Sequence, residues 1–358
     1  MKLFTCDVCG QVIYFENSQC LRCKARLAFD PEQARMVAVS AAGDGWVGLK
    51  DPAKRWALCA NAHHDACNWL IDSQDASRFC RACRHNRTIP DLSCDDRLQA
   101  WRRIEVAKRR LYYTILRLRL PTPSPGSGRG EPLVFDFLAN MPNEPRVMTG
   151  HDNGLITISL DEADDAKRES MRIRLGELYR TLLGHFRHEV GHYYWDRLVR
   201  DAGQGELARY RLLFGDERRD YGQALRAYYR NGAPADWQDR HVSPYATMHP
   251  WEDWAETWAH YFHMVDTLEM AGAFGVRVAP EVAGSEFMET EIDFDPHKAK
   301  DIQRIIDAWL PLIYAVNSLN RAMGQSDLYP FVVNEPLKAK LAYIHALVRA
   351  NAEPGAMV

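Results

Sequence analysis

The stretch Leu182–Trp195, which reads LLGHFRHEVGHYYW, decides the fold of the C-terminal part of the chain. Its apolar residues recur at helical spacing, and His188 and His192 are four residues apart. Both imidazoles therefore lie on one face of the predicted helix. Two neutral imidazoles at this separation can bind one tetrahedral zinc ion, and Glu189 directly follows the first of them. A chance match on a helix surface is the alternative, but the apolar flanks predict a buried helix.

A third protein ligand for this zinc is expected within Trp251–Trp258, on a second predicted helix. Glu252 and Glu256 are four residues apart, so one can bind zinc while the other hydrogen-bonds the free ring nitrogen of a ligand histidine. Glutamates at this spacing usually form a solvated face. Here three tryptophans surround them and predict burial, and a buried carboxylate needs a partner. A third histidine ligand six residues after His192 is excluded, because that position holds Leu198.

The position of Glu189 beside the metal predicts a chemical role for its carboxylate. Zinc lowers the pKa of a bound water, and a carboxylate next to the ion takes the proton of that water as it attacks a carbonyl. The sequence therefore predicts a hydrolase in which Glu189 is the general base.

The nine cysteines all lie before residue 95 and form two clusters. The first cluster consists of two Cys-x-x-Cys knuckles and predicts a zinc ribbon with one structural zinc: Cys6, Cys9, Cys20 and Cys23. The second cluster predicts another structural zinc from one knuckle and one wider pair: Cys59, Cys67, Cys80 and Cys83. His63 or His64 could replace Cys59 or Cys67, and the pairing could be crossed between the clusters. Cys94 is left over as a plain thiol.

The bulk composition bounds the compartment and the partners. The chain of 358 residues has a net charge of −3, which gives no overall attraction to nucleic acid or to anionic membranes. No apolar run approaches 18 residues, so no transmembrane helix is expected. The first knuckle begins at Cys6 and leaves no room for a signal peptide, which predicts a cytoplasmic protein with reduced thiols.

The same patterns predict an α+β protein with three parts. Residues 1–95 form a tandem zinc-ribbon-like region, and residues 96–130 form a basic amphipathic helix and a linker rich in proline, glycine and serine. Residues 131–358 form a mostly helical domain with a small sheet. Within it we expect a hairpin with strands at 146–149 and 155–160, and one long helix from 163 to about 200. Further helices are expected near 250–273, 298–322 and 335–351.

Three stretches, Thr149–Thr157, Glu162–Glu169 and Tyr179–Trp195, resemble a bacterial family of zinc-binding metallopeptidases with an N-terminal zinc-ribbon domain. The resemblance covers essentially the whole chain, including the cysteine clusters. It implies a zincin-like peptidase domain that acts on peptides or proteins. It indicates this class of activity without indicating a particular substrate.

A more remote resemblance is to the catalytic domain of anthrax lethal factor, in which a His-Glu-x-x-His helix is followed by a Glu-x-x-Ala-Glu helix. It implies a gluzincin-like site, with Glu252 as the zinc ligand and Glu256 as the carboxylate behind a ligand histidine. It also implies that Tyr245, seven residues before Glu252, points at the developing oxyanion. A packed tyrosine is the alternative, and the insert 201–240 has no counterpart in that domain.

Other functions fit parts of the sequence. The chain could be a zinc-ribbon adaptor that binds nucleic acid or protein, with the zincin domain structural or inactive. The basic helix at 97–119 favours nucleic acid, whereas the near-neutral charge argues against it, and the intact Glu189 argues against an inactive domain. A protease that cleaves DNA-bound proteins would combine the peptidase function with nucleic-acid binding. Docking of a protein partner through the zinc ribbons is compatible with either function.

Overall fold

The structure is a computed structural model that describes residues 2–128, 130–175, 177, 180–282, 284 and 286–353. Arg129 of the predicted linker and Tyr179 of the family-like stretch lie outside these residues. The chain divides into two compact units, one of Met1–Lys167 and Ala352–Val358, and one of Arg168–Asn351. A cysteine-rich region of small sheets is followed by a mostly helical region, so the predicted α+β class is confirmed. The domain boundaries at residues 95 and 130 stay predictions.

The first unit contains two sheets and a short hairpin. The hairpin of β1 (Phe4–Thr5) and β2 (Val12–Ile13) carries the first cysteine knuckle. Five strands form an antiparallel meander: β3 (Arg26–Asp30), β4 (Arg35–Ala42), β5 (Gly45–Gly48), β6 (Arg55–Leu58) and β7 (Leu70–Asp72). Four strands form the second sheet in the order β10–β11–β9–β8: β8 (Asn86–Thr88), β9 (Val134–Leu138), β10 (Gly150–Asp152) and β11 (Leu155–Ser159). Strand β9 is parallel to both of its neighbours.

The predicted basic helix is α1 (Asp95–Arg117), and part of its charge is buried. Lys108, whose side chain is 0% exposed, donates from Nζ to Glu105 Oε1 at 2.8 Å and also to the side chain of Asn86. Arg109 is buried as well and donates to Asn68. The basic residues of α1 are therefore not all in solvent, because buried acidic and amide oxygens compensate Lys108 and Arg109.

The second unit is helical. Helix α2 (Asp165–Leu175) spans the boundary of the two units in the sequence. Within the described residues it is followed by six α-helices and one two-stranded hairpin: α3 (Leu182–Trp195), α4 (Gln204–Phe214), α5 (Tyr221–Asn231), α6 (Pro250–Ala273), β12 (Arg277–Val278), β13 (Thr290–Glu291), α7 (Ile302–Ala322) and α8 (Glu335–Ala350). Helices α6, α7 and α8 lie where the sequence predicts them. Among the described helices, none is long and apolar enough to cross a membrane.

Helices α3 and α6 make a close contact that positions the site. A Cβ atom at Gly191 would lie 3.1 Å from the Cα of Ala255 and 3.2 Å from Cδ1 of Trp258. Trp254 crosses the same contact, since its Nε1 donates to the carbonyl of Gly191 at 2.8 Å. Glycine is therefore required here for close packing between the two helices.

Two local predictions are wrong. The single helix expected from 163 to about 200 is divided, because α2 ends at Leu175 and α3 begins only after Thr181. The Thr181 hydroxyl caps α3 by accepting from the Gly184 amide at 3.0 Å, and a π-helical turn over Asp196–Arg200 continues α3. The first hairpin strand lies at Gly150–Asp152 instead of 146–149. The positive φ angles of Asn153 (44°) and Gly154 (81°) close a two-residue turn directly after it.

Candidate metal centres and active site

Two histidines of α3 and one glutamate of α6 converge on one point. His188 Nε2 lies 3.2 Å from His192 Nε2 and 2.9 Å from Glu252 Oε2. His192 Nε2 lies 3.5 Å from Glu252 Oε1. Donors at about 2.0–2.1 Å from a tetrahedral zinc ion are separated by roughly 3.4 Å. The two imidazole nitrogens and the carboxylate therefore fit the donor set and the spacing that zinc requires.

The charge around this point favours a cation. The side chains of His188, His192 and Glu252 are only 13%, 4% and 2% exposed. Burial opposes the charged imidazolium, but hydrogen bonds and Coulomb attraction from Glu252 and Glu256 raise the pKa of His188 well above its usual value. The two carboxylates thus attract a positive charge to this position, which a proton or a divalent cation can supply.

Glu256 orients one of the histidines from behind. Its Oε1 accepts a hydrogen bond from His188 Nδ1 at 2.7 Å, which leaves Nε2 of that ring for a metal. The hydroxyl of Ser243 donates to Glu256 Oε2 at 2.5 Å and accepts from the amide of Ala246 at 3.1 Å. Ser243 thereby ties Glu256 to the 3-10 turn Tyr245–Thr247. Nothing in the local sequence indicates this role for Ser243.

Glu189 lies beside the convergent donors on α3. The residue is buried, at 9% exposure. A carboxylate directly next to a metal ligand can take the proton of a metal-bound water. This arrangement suits the role of a general base that the sequence predicts for Glu189.

Two tyrosines lie at the site, and the sequence predicts only one of them. The ring of Tyr245 lies 6.1 Å from the ring of His188. The hydroxyl of Tyr221, the first residue of α5, donates to Glu252 Oε1 at 3.0 Å. Tyr221 belongs to the insert 201–240, which has no counterpart in the remote resemblance. Tyr221 contacts a residue 31 positions later in the chain, and such a contact produces no pattern in the local sequence that could predict it.

The remaining acidic groups near α3 form ion pairs. Asp196 pairs with Arg200 at 2.7 Å. A buried group of metal-binding residue types lies on α6 and the turn after β13: Asp266, Glu269 and His297. Arg187 donates to Asp266 Oδ2 at 2.5 Å, so a guanidinium already compensates part of the charge of this group.

Each cysteine cluster of the first unit gathers its own four thiols, without crossed pairing and without His63 or His64: Cys6, Cys9, Cys20 and Cys23 in one, and Cys59, Cys67, Cys80 and Cys83 in the other. The sulfur atoms lie 3.7 Å apart in the pair Cys6–Cys23, 3.6 Å in Cys9–Cys20 and 3.7 Å in Cys67–Cys80. Ligands at about 2.3 Å from a tetrahedral zinc lie roughly 3.8 Å apart, so both clusters fit zinc. Cys94 is exposed and free.

The second cysteine cluster has a charged pair of α1 against it. Cys83 Sγ lies 3.6 Å from Glu105 Oε2, and Lys108 holds the other oxygen of the same carboxylate. Four thiolates around one zinc ion carry a net charge of −2. The buried ammonium of Lys108 therefore offsets negative charge from both the carboxylate and the cluster.

Comparison with known proteins agrees with these two kinds of site. Residues 3–94 match a zinc-ribbon domain, and residues 97–347 match a family described as "Putative zinc-binding metallo-peptidase". Proteins of Mycobacterium bovis and of two strains of Mycobacterium tuberculosis, each described as "Uncharacterized protein", are 42% identical over 348 residues, which is 97% of this chain and 95% of theirs. No solved structure matches the chain significantly. The chain belongs to this zinc-binding metallopeptidase family and has an N-terminal zinc-ribbon domain.

Proposed function

We propose that the chain hydrolyses peptide bonds at a gluzincin-type zinc site formed by His188, His192 and Glu252. The observation that carries this proposal is the convergence of three donor groups: the two imidazole Nε2 atoms lie 3.2 Å apart, Glu252 Oε2 lies 2.9 Å from His188 Nε2, and Glu252 Oε1 lies 3.5 Å from His192 Nε2. Membership of the metallopeptidase family supports peptides or proteins as the substrate class.

The residues around the metal divide the work of hydrolysis. Zinc bound there would lower the pKa of a water molecule and polarise the substrate carbonyl. Glu189 accepts a proton from the attacking water at its carboxylate and delivers it to the nitrogen of the leaving amine. Tyr245 donates a hydrogen bond to the carbonyl oxygen as negative charge develops on it. Glu256 keeps His188 in the tautomer whose Nε2 is free to bind the metal.

The two cysteine clusters are proposed to hold one structural zinc each, which gives three zinc ions per chain. Structural zinc supplies folding free energy to segments whose own core is small. Docking of a protein partner through the zinc ribbons and the cytoplasmic location both stay predictions.

Elemental analysis of the full chain tests the metal count. We expect three zinc ions in the wild type and two in a His188→Ala, His192→Ala variant. A His63→Ala, His64→Ala variant is the matched control and should keep three, because the second cluster consists of four cysteine thiols and neither histidine belongs to it. An unchanged count in the first variant would refute a zinc site on α3.

Glu189→Gln tests the chemistry separately from the metal. Gln keeps the size of the side chain but cannot accept the proton, so three zinc ions should remain while hydrolysis of a quenched fluorescent peptide library falls by about 10²–10⁴-fold. If the Glu189→Gln variant hydrolyses the peptides at the wild-type rate, Glu189 is not the general base.

A further inference from the structure

The loop before α5 is fastened to the first turn of α6, which carries Glu252. Gly215 has a φ angle of +100°, and a Cβ there would lie 3.3 Å from Cγ of Pro250. His249 is the N-cap of α6, and its Nδ1 accepts from the amide of Trp251 at 3.1 Å. The proton of the neutral ring is therefore on Nε2, which donates to the carbonyl of Arg219 at 3.1 Å.

Helix α5 begins directly after this anchor. Asp220 caps α5, since its carboxylate accepts from the amide of Gln223 at 2.6 Å. The ring of Tyr221 then packs edge-on against His249 at 5.4 Å and against Trp251 at 6.3 Å. These contacts determine where the Tyr221 hydroxyl lies relative to the α6 turn.

The hydroxyl ends at the carboxylate that completes the metal donor set. Tyr221 donates to Glu252 Oε1 at 3.0 Å, while Glu252 Oε2 faces His188 Nε2 at 2.9 Å. Tyr221 thus holds the oxygen that lies 3.5 Å from His192 Nε2, and this bond fixes the rotation of the carboxylate whose other oxygen faces His188. Ligand carboxylates that bind metals tightly are hydrogen-bonded in this way, because a pre-oriented ligand loses less freedom on binding.

We propose that Tyr221 is a positioning residue that holds Glu252 in the orientation required for zinc binding. This inference rests on the proposed zinc site of His188, His192 and Glu252, and it adds to that site a residue of the insert 201–240. Zinc affinity then depends on how the loop 215–220 is seated on α6, although no residue of this loop is itself a ligand.

The direction of this bond follows from its two groups, because a carboxylate oxygen accepts and the phenol hydroxyl donates. Glu252 is the acceptor in this bond, and the removal of the hydroxyl leaves its Oε1 without the tyrosine partner.

A zinc competition experiment on the full-length wild type and two variants tests the inference. Increasing concentrations of a chelator remove zinc from each protein, and the bound zinc is measured at each concentration. The zinc of the α3 site is identified as the ion that the His188→Ala, His192→Ala variant lacks. The chelator concentration that removes half of this zinc gives its affinity. In Tyr221→Phe we expect this affinity to fall by about 10–100-fold, because the ring contacts remain and only the hydroxyl is lost. Tyr229→Phe is the matched control on the same helix. Its side chain is 58% exposed, so its affinity should equal that of the wild type.

Two further readouts separate positioning from damage to the fold. Urea unfolding of the chelator-treated chains should give the same midpoint for Tyr221→Phe and the wild type. Peptide hydrolysis by Tyr221→Phe should be reduced at limiting zinc and should recover at saturating zinc, which damage to a substrate site would not allow. An unchanged zinc affinity in Tyr221→Phe overturns this inference alone. A wild type that holds no zinc at His188 and His192 overturns the proposed function with it.

Discussion

Replacement of Gly191 by alanine should push apart α3 and α6, the two helices that carry the proposed metal site. Gly191 lies between the two histidines on α3 and faces α6. The new Cβ would meet the Cα of Ala255 at 3.1 Å, and Cδ1 and Cβ of Trp258 at 3.2 and 3.3 Å. The Cα of Ala255 belongs to the backbone of α6, and Cδ1 of Trp258 belongs to a buried indole ring. Neither atom can therefore move aside freely.

The size of the effect follows from two opposing terms. Overpacking of a dense interior costs about 1–3 kcal/mol. Alanine is favoured over glycine within a helix by about 1 kcal/mol. The net loss of unfolding free energy is therefore modest, at about 0–2 kcal/mol. The geometric effect is larger, because a shift of a few tenths of an ångström between α3 and α6 lengthens the separations of 2.9 and 3.5 Å that join Glu252 to the histidines.

We expect Gly191→Ala to bind the α3 zinc about tenfold or more weakly, with peptide hydrolysis reduced in step at limiting zinc. Chelator competition and urea unfolding measure the two quantities. Gly205→Ala in the exposed start of α4 is the matched control, since nothing lies within 4 Å of its Cβ. It should gain up to about 1 kcal/mol and keep the wild-type zinc affinity. Equal zinc affinity in Gly191→Ala and the wild type would refute the argument that the α3–α6 contact sets the donor distances.

Three other outcomes are expected. Burial lowers the pKa of His260 to about 4, so the unfolded chain binds this proton more readily, and about 3 kcal/mol of stability should be lost as pH falls from 6.5 to 4. Urea unfolding at pH 7 and 4.5 should show that His260→Asn loses less unfolding free energy between the two pH values than the wild type does. An equal loss in both proteins would contradict this role of His260. Ser243→Ala should weaken the α3 zinc by less than His188→Ala, measured by chelator competition, because Glu256 remains; an effect of equal size would contradict this order. Lys108→Met should cost about 3–5 kcal/mol by urea unfolding, and a second change of Glu105 to Leu should recover part of it; no recovery would exclude an unpaired buried carboxylate as the cause.

The inner part of the candidate site could be predicted because its residues come in pairs on single helices. His188 with His192, and Glu252 with Glu256, are each four residues apart, and helical geometry alone places each pair on one face. The tryptophans around Glu252 then indicate which face is buried. The structure brings His188, His192 and Glu252 within 4.8 Å of one another, as the spacing led us to expect.

The outer part could not be predicted, because its contacts join distant positions. Tyr221 meets Glu252 across 31 residues, and Ser243 meets Glu256 across 13 residues that include a turn and a helix start. Neither residue type is unusual for a loop or a helix terminus. Their roles depend on how the insert 201–240 folds onto α6, which neither local periodicity nor residue spacing encodes.

The same distinction explains the errors in the fold. A helical pattern continues from 163 to 200, yet the Thr181 cap begins a new helix, since a side-chain oxygen bound to a free amide outweighs weak periodicity. On α1 the basic residues suggested solvent, whereas Lys108 is buried against Glu105. Charge patterns predict exposure only when no buried counter-charge is present, and here Glu105 supplies one within the same helix.

The two layers around Glu252 make different demands on the protein. The inner distances depend on the α3–α6 contact, which belongs to the core, so changes there should alter zinc affinity and stability together. The outer hydrogen bond from Tyr221 comes from an exposed residue at the start of α5, so its loss should alter zinc affinity while the unfolding free energy stays nearly constant. Ser243 is buried and bonds both Glu256 and the amide of Ala246, so Ser243→Ala should cost stability as well. A plot of zinc affinity against stability should therefore place Tyr221→Phe apart from Gly191→Ala and Ser243→Ala, and a single line through all three would refute this separation.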